Sequence, residues 1–195
     1  MHGFSRKYSK LIDLKFNQTD LDNFRYRVTY QHSVINNIPY VVRKHIPRRL
    51  SDTLRNQLPD NLRPLCDITL SEIKLVIPHY HNTDMCVLNW YIDTGGEITS
   101  FYEGEKIIKQ KLTSDSGNGF FEVDYSNLKV VESFIAQPGE VWLFDTTTVH
   151  SVSNPSYLDE KKFTTYNEQP RVLIQMYFSA PYEYVSSFLP GISTK

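Results

Sequence analysis

Cysteine is nearly absent from this chain. Cys66 and Cys86 are the only two in 195 residues, and they form no CxxC pair. That composition leaves no disulfide framework; two reduced core residues of a cytosolic protein are expected, with a single bridge between them as the alternative. Net charge is also missing. Twenty-one Lys and Arg stand against 22 Asp and Glu, a balance of -1, which gives no electrostatic footprint for nucleic acid or membrane. The basic run Arg43-Lys44-His45, followed by Arg48-Arg49, reads as a solvated loop or helix face. No apolar h-region follows Met1, and no apolar run approaches membrane-spanning length. Repeats, low-complexity tracts and linkers are absent too. A single domain over residues 1–195, located in the cytoplasm, is therefore expected.

What the chain does have is strand signal. Aromatics reach 13 %, and tyrosine-rich, β-branched runs favour sheets. Residues 11–16 and 25–30 alternate as short strands do. Residues 48–58 carry Leu50, Leu54 and Leu58 at a spacing of four, an amphipathic helix with Ser51 as its cap and Pro59 as its stop. From Asp67 onward, strand follows strand: residues 68–77 up to Pro78, 85–92, 97–102, 120–125, 128–136, 141–144 and 172–178. Gly and Pro punctuate them at Gly95-Gly96 and Pro138-Gly139. Many short strands with few helices predict a sandwich or barrel. The polar stretch 157–169 reads as a surface loop.

Within this pattern, His79 and His81 are separated by one residue, so on a strand their rings share a face. His150 lies far downstream, and Arg171 opens the last long strand. Two imidazoles side by side and a third on another strand are the minimum for a mononuclear metal site with open positions. A buried arginine is costly without an anionic partner, and its planar fork suits a carboxylate. The plain alternatives are partly exposed strand-end histidines and a surface ion pair. His2, His32 and His45 are assigned surface or local roles. Asn89 alternates with Val87 and Tyr91; facing inward it can bond a bound anion, facing outward it is solvated. Tyr102 can offer its hydroxyl to the same anion or serve in packing.

The order of these residues resembles the Fe(II)- and 2-oxoglutarate-dependent dioxygenases of the double-stranded β-helix, or jelly-roll, fold, including small phage-encoded members. Their pattern is His-x-Asp/Glu, a distal His, then Arg or Lys about ten residues later. Here MCVLNWYI and Gly95-Gly96-Glu97-Ile98-Thr99-Ser100-Phe101-Tyr102 look like the strand pair after the metal motif. Pro138 to Phe144 with Val149-His150-Ser151-Val152 looks like the distal-histidine hairpin. Pro170-Arg171 to Phe178 looks like the co-substrate strand. The likeness spans residues 68–180. It implies a mainly β, cupin-like jelly roll over residues 66–180, with a few flanking helices and residues 1–65 packed against it as a wall of the site. It implies Fe(II) on His79, His81 and His150, and 2-oxoglutarate on Arg171, with Asn89 and Tyr102 as further contacts. No catalytic side chain is expected beyond the metal centre. A hydroxylase acting on a small molecule or peptide is implied, in the host cytoplasm if phage-encoded.

Two departures mark this chain. His81 stands where the family has a carboxylate, and the nearby Asp84 is the alternative ligand if a bulge brings it round. Arg171 follows His150 by 21 positions, an excess that the polar stretch 157–169 absorbs as a loop. Three neutral imidazoles leave a divalent ion at +2 instead of +1, and suit iron, zinc, copper or nickel. Two rival readings follow: a cupin-like module that binds metal or ligand without turnover, and a three-histidine dioxygenase that binds its substrate directly, without 2-oxoglutarate.

Overall fold

Alternation builds the strands. In the stretch Cys66–Ile73, Cys66, Ile68 and Leu70 turn to one apolar cluster, while Ile73 joins a second cluster on the opposite face. The computed structural model describes residues 4–8, 31–35, 38–113, 119–153 and 170–189. The strands in them are β1 (Ser5–Tyr8), β2 (Gln31–Ile35), β3 (Ile38–His45), β4 (Cys66–Ile73), β5 (Val76–His81), β6 (Cys86–Asp93) and β7 (Ile98–Glu103). They continue with β8 (Ile108–Thr113), β9 (Gly119–Val123), β10 (Lys129–Ile135), β11 (Val141–Asp145), β12 (Val149–Ser153) and β13 (Arg171–Phe178). Two α-helices, α1 (Arg48–Arg55) and α2 (Tyr182–Phe188), and one 3-10 turn, Arg63–Leu65, are described. The strands expected at 11–16 and 25–30, the loop at 157–169, His2, and the side chains of His32 and His45 lie outside the described residues. No helix among the described residues is long and apolar enough to cross a membrane.

Two antiparallel sheets result. One runs β1-β11-β6-β13-β4-β3-β2, the other β10-β7-β12-β5-β9-β8. At their centre, β11-β6-β13-β4 faces β10-β7-β12-β5, and the chain crosses from sheet to sheet at β4/β5, β5/β6, β6/β7, β10/β11, β11/β12 and β12/β13. That is the double-stranded β-helix. The β8–β9 hairpin, inserted between β7 and β10, pairs with β5 and widens the second sheet on that side. Gly96 and Gly139 sit in the turns before β7 and β11 with φ of 82° and 85°, a region open to glycine at little steric cost.

The outer face of the first sheet is a large apolar cluster, in which Ile174, Met176 and Phe178 pack with Leu54 of α1, Val185 of α2, Leu58 and Leu62. Each fully buried side chain of this kind contributes roughly 1.5–3 kcal/mol. Between the sheets, Phe101 meets Phe144 edge-on at 5.6 Å between ring centroids, and Phe134 stacks on Trp142 at 3.8 Å.

Several expectations need correction. Residues 68–77 form no single strand: β4 ends at Ile73 and β5 begins at Val76. Pro78 lies inside β5 and does not end it. His150 pairs with His79 but Val152 pairs with Val76, so β5 carries one extra residue around Ile77 and Pro78. A bulge is where a strand tolerates a residue without an N–H. Ser51 is no cap, because α1 starts at Arg48 behind Pro47, and Ser51 N–H already bonds Pro47 O at 3.0 Å. Leu58 is buried but lies in the turn after α1. Cys66 and Cys86 are free. Both stand opposite Phe178, on either side of β13, so two strand spacings of roughly 4.8 Å each separate them, too far for a bridge. Burial pushes the Cys66 thiol up to about 12 and raises Cys86 as well, which leaves both inert.

Candidate metal centre

Strand pairing makes the cluster. β12 lies beside β5, and the register sets His150 directly opposite His79. His81, two residues on, shares that face. The ring centroids are 4.3 Å apart for His79 and His150, 5.1 Å for His79 and His81, and 5.4 Å for His81 and His150. All three residues are buried, and their ligand nitrogens lie within 4.8 Å of one another.

The surrounding backbone sets which nitrogen faces inward. His79 Nδ1 donates to Ile77 O at 2.8 Å, and His150 Nδ1 donates to Thr148 O at 2.9 Å. A carbonyl only accepts, so Nδ1 carries the proton and Nε2 keeps its lone pair, the arrangement in which imidazole binds metals. Thr148 O is itself positioned by a side-chain-capped turn. Asp145 Oδ1 accepts from Thr147 N–H at 2.8 Å and from its hydroxyl at 2.6 Å. The same turn holds the end of β5, since His81 N–H donates to Thr146 O at 2.8 Å. Burial holds His150 down at about 4, with Arg171 pulling the same way and Thr148 and Asp145 opposing. The ring is thus neutral at pH 7, as a ligand must be.

The geometry fits one ion. His79 Nε2 and His81 Nε2 are 3.1 Å apart. Two nitrogens at right angles on an ion, each about 2.1 Å from it, stand about 3.0 Å apart, and any pair wider than about 4.2 Å must close on the ion. Asp84 does not join the cluster. Its carboxylate lies 3.9 Å from His81 Nδ1, on the side of the ring away from the other histidines. That is the place of a carboxylate that orients a ligand, and the bulge that shifts β5 lies before His79, so it cannot bring Asp84 round.

Arg171 stands on the facing sheet and is 3 % exposed. Its Nη1 donates to Thr99 Oγ1 at 2.9 Å, its guanidinium lies 5.5 Å from the Tyr91 ring centroid, and its Nε has no partner among the described residues. No salt bridge reaches it among the described residues. Asn89 faces inward. Gln175 Nε2 donates to Asn89 Oδ1 at 3.2 Å and Tyr177 hydroxyl donates to Gln175 Oε1 at 2.9 Å, which leaves Asn89 Nδ2 without an acceptor. Tyr91 hydroxyl, Thr69 Oγ1 and Ser71 Oγ are also buried without partners among the described residues. Register places Thr69 beside Gln175, and Ser71 and Tyr91 beside Leu173, all on the inward face. Native proteins leave few such groups unpaired. These five atoms can all donate, and one belongs to a cation, so the set suits an anion with several acceptor oxygens.

Tyr102 is not among them. On β7 the inward residues are Thr99 and Phe101, and Tyr102 turns to the other face. There its hydroxyl meets Ser151 Oγ at 2.7 Å and it packs with Val123, Leu128 and Val149. Thr99 stands where Tyr102 was expected, touching the arginine. Its alternation with Phe101 was the one signal that could have found it.

No family model matches the chain, and no curated protein matches it in sequence. Solved structures do match in shape. The epimerase SnoN, crystallised with Fe3+, α-ketoglutarate and nogalamycin RO, superimposes with a TM-score of 0.55 at 11 % identity, over 90 % of this chain and 78 % of SnoN. A second SnoN structure, described as a non-heme α-ketoglutarate-dependent epimerase from nogalamycin biosynthesis, gives 0.53 at 13 % identity, over 98 % and 87 %. Escherichia coli ycfD gives 0.49 at 13 % identity, and this chain spans 50 % of its length. At these identities what is shared is the fold: the chain is a mainly β, cupin-like jelly roll.

Proposed function

We propose that the chain is an Fe(II)- and 2-oxoglutarate-dependent oxygenase of the hydroxylase type. His79, His81 and His150 would hold the iron, and Arg171 with Thr99 would hold the far carboxylate of 2-oxoglutarate. The observation that carries this reading is the buried Arg171 guanidinium, without a salt bridge among the described residues, on the sheet facing three clustered imidazoles. A buried cation without an anion is expensive, and a bidentate carboxylate is the ligand that its fork fits. SnoN, which shares the fold, is named for dependence on α-ketoglutarate, and this supports the assignment.

Iron with its co-substrate would supply the oxidising power, and the protein supplies position and exclusion of water. Ile77 O and Thr148 O hold two rings so that Nε2 would face a bound ion. Asn89 Nδ2 and Tyr91 hydroxyl offer further donors to the anion. Phe101 and Phe144 wall the His150 side, at 6.2 and 5.7 Å between ring centroids. Because all three ligands are neutral, a dianion would bring the centre to neutrality.

The missing carboxylate favours one second reading, a three-histidine centre that binds its substrate without 2-oxoglutarate. Anaerobic titration separates the two. A weak visible charge-transfer band, developing when 2-oxoglutarate is added to the Fe(II) protein, is the expected result. Iron binding with no band would replace the proposal with the second reading, and no iron binding would reduce the protein to a ligand-binding module.

A further inference from the structure

The second sheet carries a single transverse row that starts at the histidines and leaves the core. Phe101 pairs with His150, His150 with His79, His79 with Glu122, and Glu122 with Gln110. Residues directly opposite across a sheet share a face. The neighbouring residues confirm which face this is: Phe121 stacks on Tyr80 at 5.0 Å, and Val123 packs with Tyr102, all on the outer side. Glu122 therefore points the same way as the three histidines, one strand from His79.

Exposure rises along the row. Phe101, His150 and His79 are buried, Glu122 is half-buried, and Gln110 is exposed. The last three strands thus form a ramp from solvent to the cluster. Gln110 Nε2 donates to Glu122 Oε2 at 2.5 Å, which orders the carboxylate. Its other oxygen remains available, and no salt bridge reaches Glu122 among the described residues. The lysines of this hairpin are drawn to the opposite face, where Lys106 lies over Tyr80, Lys109 over Tyr125 and Lys111 over Phe121. A carboxylate ordered by an amide, without a cation among the described residues and on the same face as the histidines, suits a positive group.

We propose that Glu122, held by Gln110, is the substrate-recognition residue of the histidine site and binds an amine or guanidinium whose reacting carbon lies about 5–8 Å away, one strand spacing plus a hydrogen bond. This rests on the histidine cluster being a metal centre, and it narrows the substrate class to compounds with a cationic arm of about four to six bonds.

The test uses the full chain loaded with Co(II) and 2-oxoglutarate, whose d–d bands respond to a molecule entering beside the metal. Cobalt stoichiometry is measured first. N-acetyl-L-arginine amide and its neutral isostere N-acetyl-L-citrulline amide are then titrated, by spectrum and by calorimetry. The wild type should bind the cationic member about 10- to 100-fold more tightly. Glu122→Gln should erase that preference with cobalt and 2-oxoglutarate binding unchanged, and Gln110→Ala should reduce it. Equal binding of the pair by the wild type, a preference that survives Glu122→Gln, or cobalt lost in Glu122→Gln would each overturn the assignment. Failure of the wild type to take up cobalt would instead sink the metal-centre reading, and calorimetry on the metal-free protein would still decide whether Glu122 selects the cation.

Discussion

β13 is buried along its whole length, yet its two faces are built for different ends. Outward, Val172, Ile174, Met176 and Phe178 join a continuous apolar cluster beneath the helices. Inward, Arg171, Gln175 and Tyr177 carry a cation, an amide and a phenol, and this face holds five polar atoms without partners among the described residues, Arg171 Nε being one of them. Equal burial therefore conceals opposite energetics. The outer face stabilises the fold through transfer of apolar surface. The inner face sets buried donors without protein acceptors among the described residues, which an anion with several oxygens would supply.

The largest expected effects break the contrast from both sides. His150→Ala should abolish metal binding, measured by elemental analysis after metal loading, while the chain stays folded. Phe178→Ala should do the reverse. Phe178 is fully buried, and its truncation should cost about 3–5 kcal/mol in urea unfolding, with metal stoichiometry per folded molecule unchanged. If His150→Ala retained its metal, or if Phe178→Ala lost stability and metal together, the two faces would not be separable.

The outer face was the more legible in sequence. Alternating apolar residues and Gly-Pro punctuation mark most of the strands, because a half-buried strand displays a period of two. The site was legible only where chemistry is unusual: His79, His81, His150 and Arg171 stand out by type and order. Asn89 could not be oriented, because β6 is covered on both faces and buries Cys86, Val87, Leu88 and Asn89 in succession. Tyr102 failed for the same reason, since β7 buries Thr99 through Tyr102. Pro78 read as a strand end because a bulge is defined by the partner strand, and β12 lies some 70 residues away in sequence. Glu122 and Gln110 gave no signal, as only pairing across β5, β9 and β8 brings them to the histidines.

A pH series sharpens the contrast next. His150 sits at about 4 in the folded chain against an ordinary 6.5. Between these values the unfolded chain binds more protons, so stability rises with pH there. In chelator-treated protein the contribution should be complete above about pH 6.5 and lost as pH falls towards 4, about 3 kcal/mol in all. Urea midpoints at several pH values measure it, and His150→Gln should flatten the slope. A slope as steep in the variant would assign the dependence to other groups. Bound metal should steepen the fall, because protons then compete with the ion for the same nitrogen.

The smallest effect has the most informative sign. Arg171→Met keeps the length of the side chain and removes the charge from the inner face. In protein stripped of metal and co-substrate it should raise stability by about 1–2 kcal/mol, because a buried cation without a salt bridge among the described residues gives way to a well-packed thioether stem. The same variant should bind 2-oxoglutarate about 10- to 100-fold more weakly at unchanged iron content, since a charge-assisted pair is lost. A site residue alone gives this combination: a structural arginine would lose stability on replacement, and a bystander would leave the co-substrate untouched. Unfolding and anaerobic calorimetry on one preparation read both quantities. If Arg171→Met is less stable than the wild type, the guanidinium is satisfied within the chain, and the inner face is then no receptor for an anion.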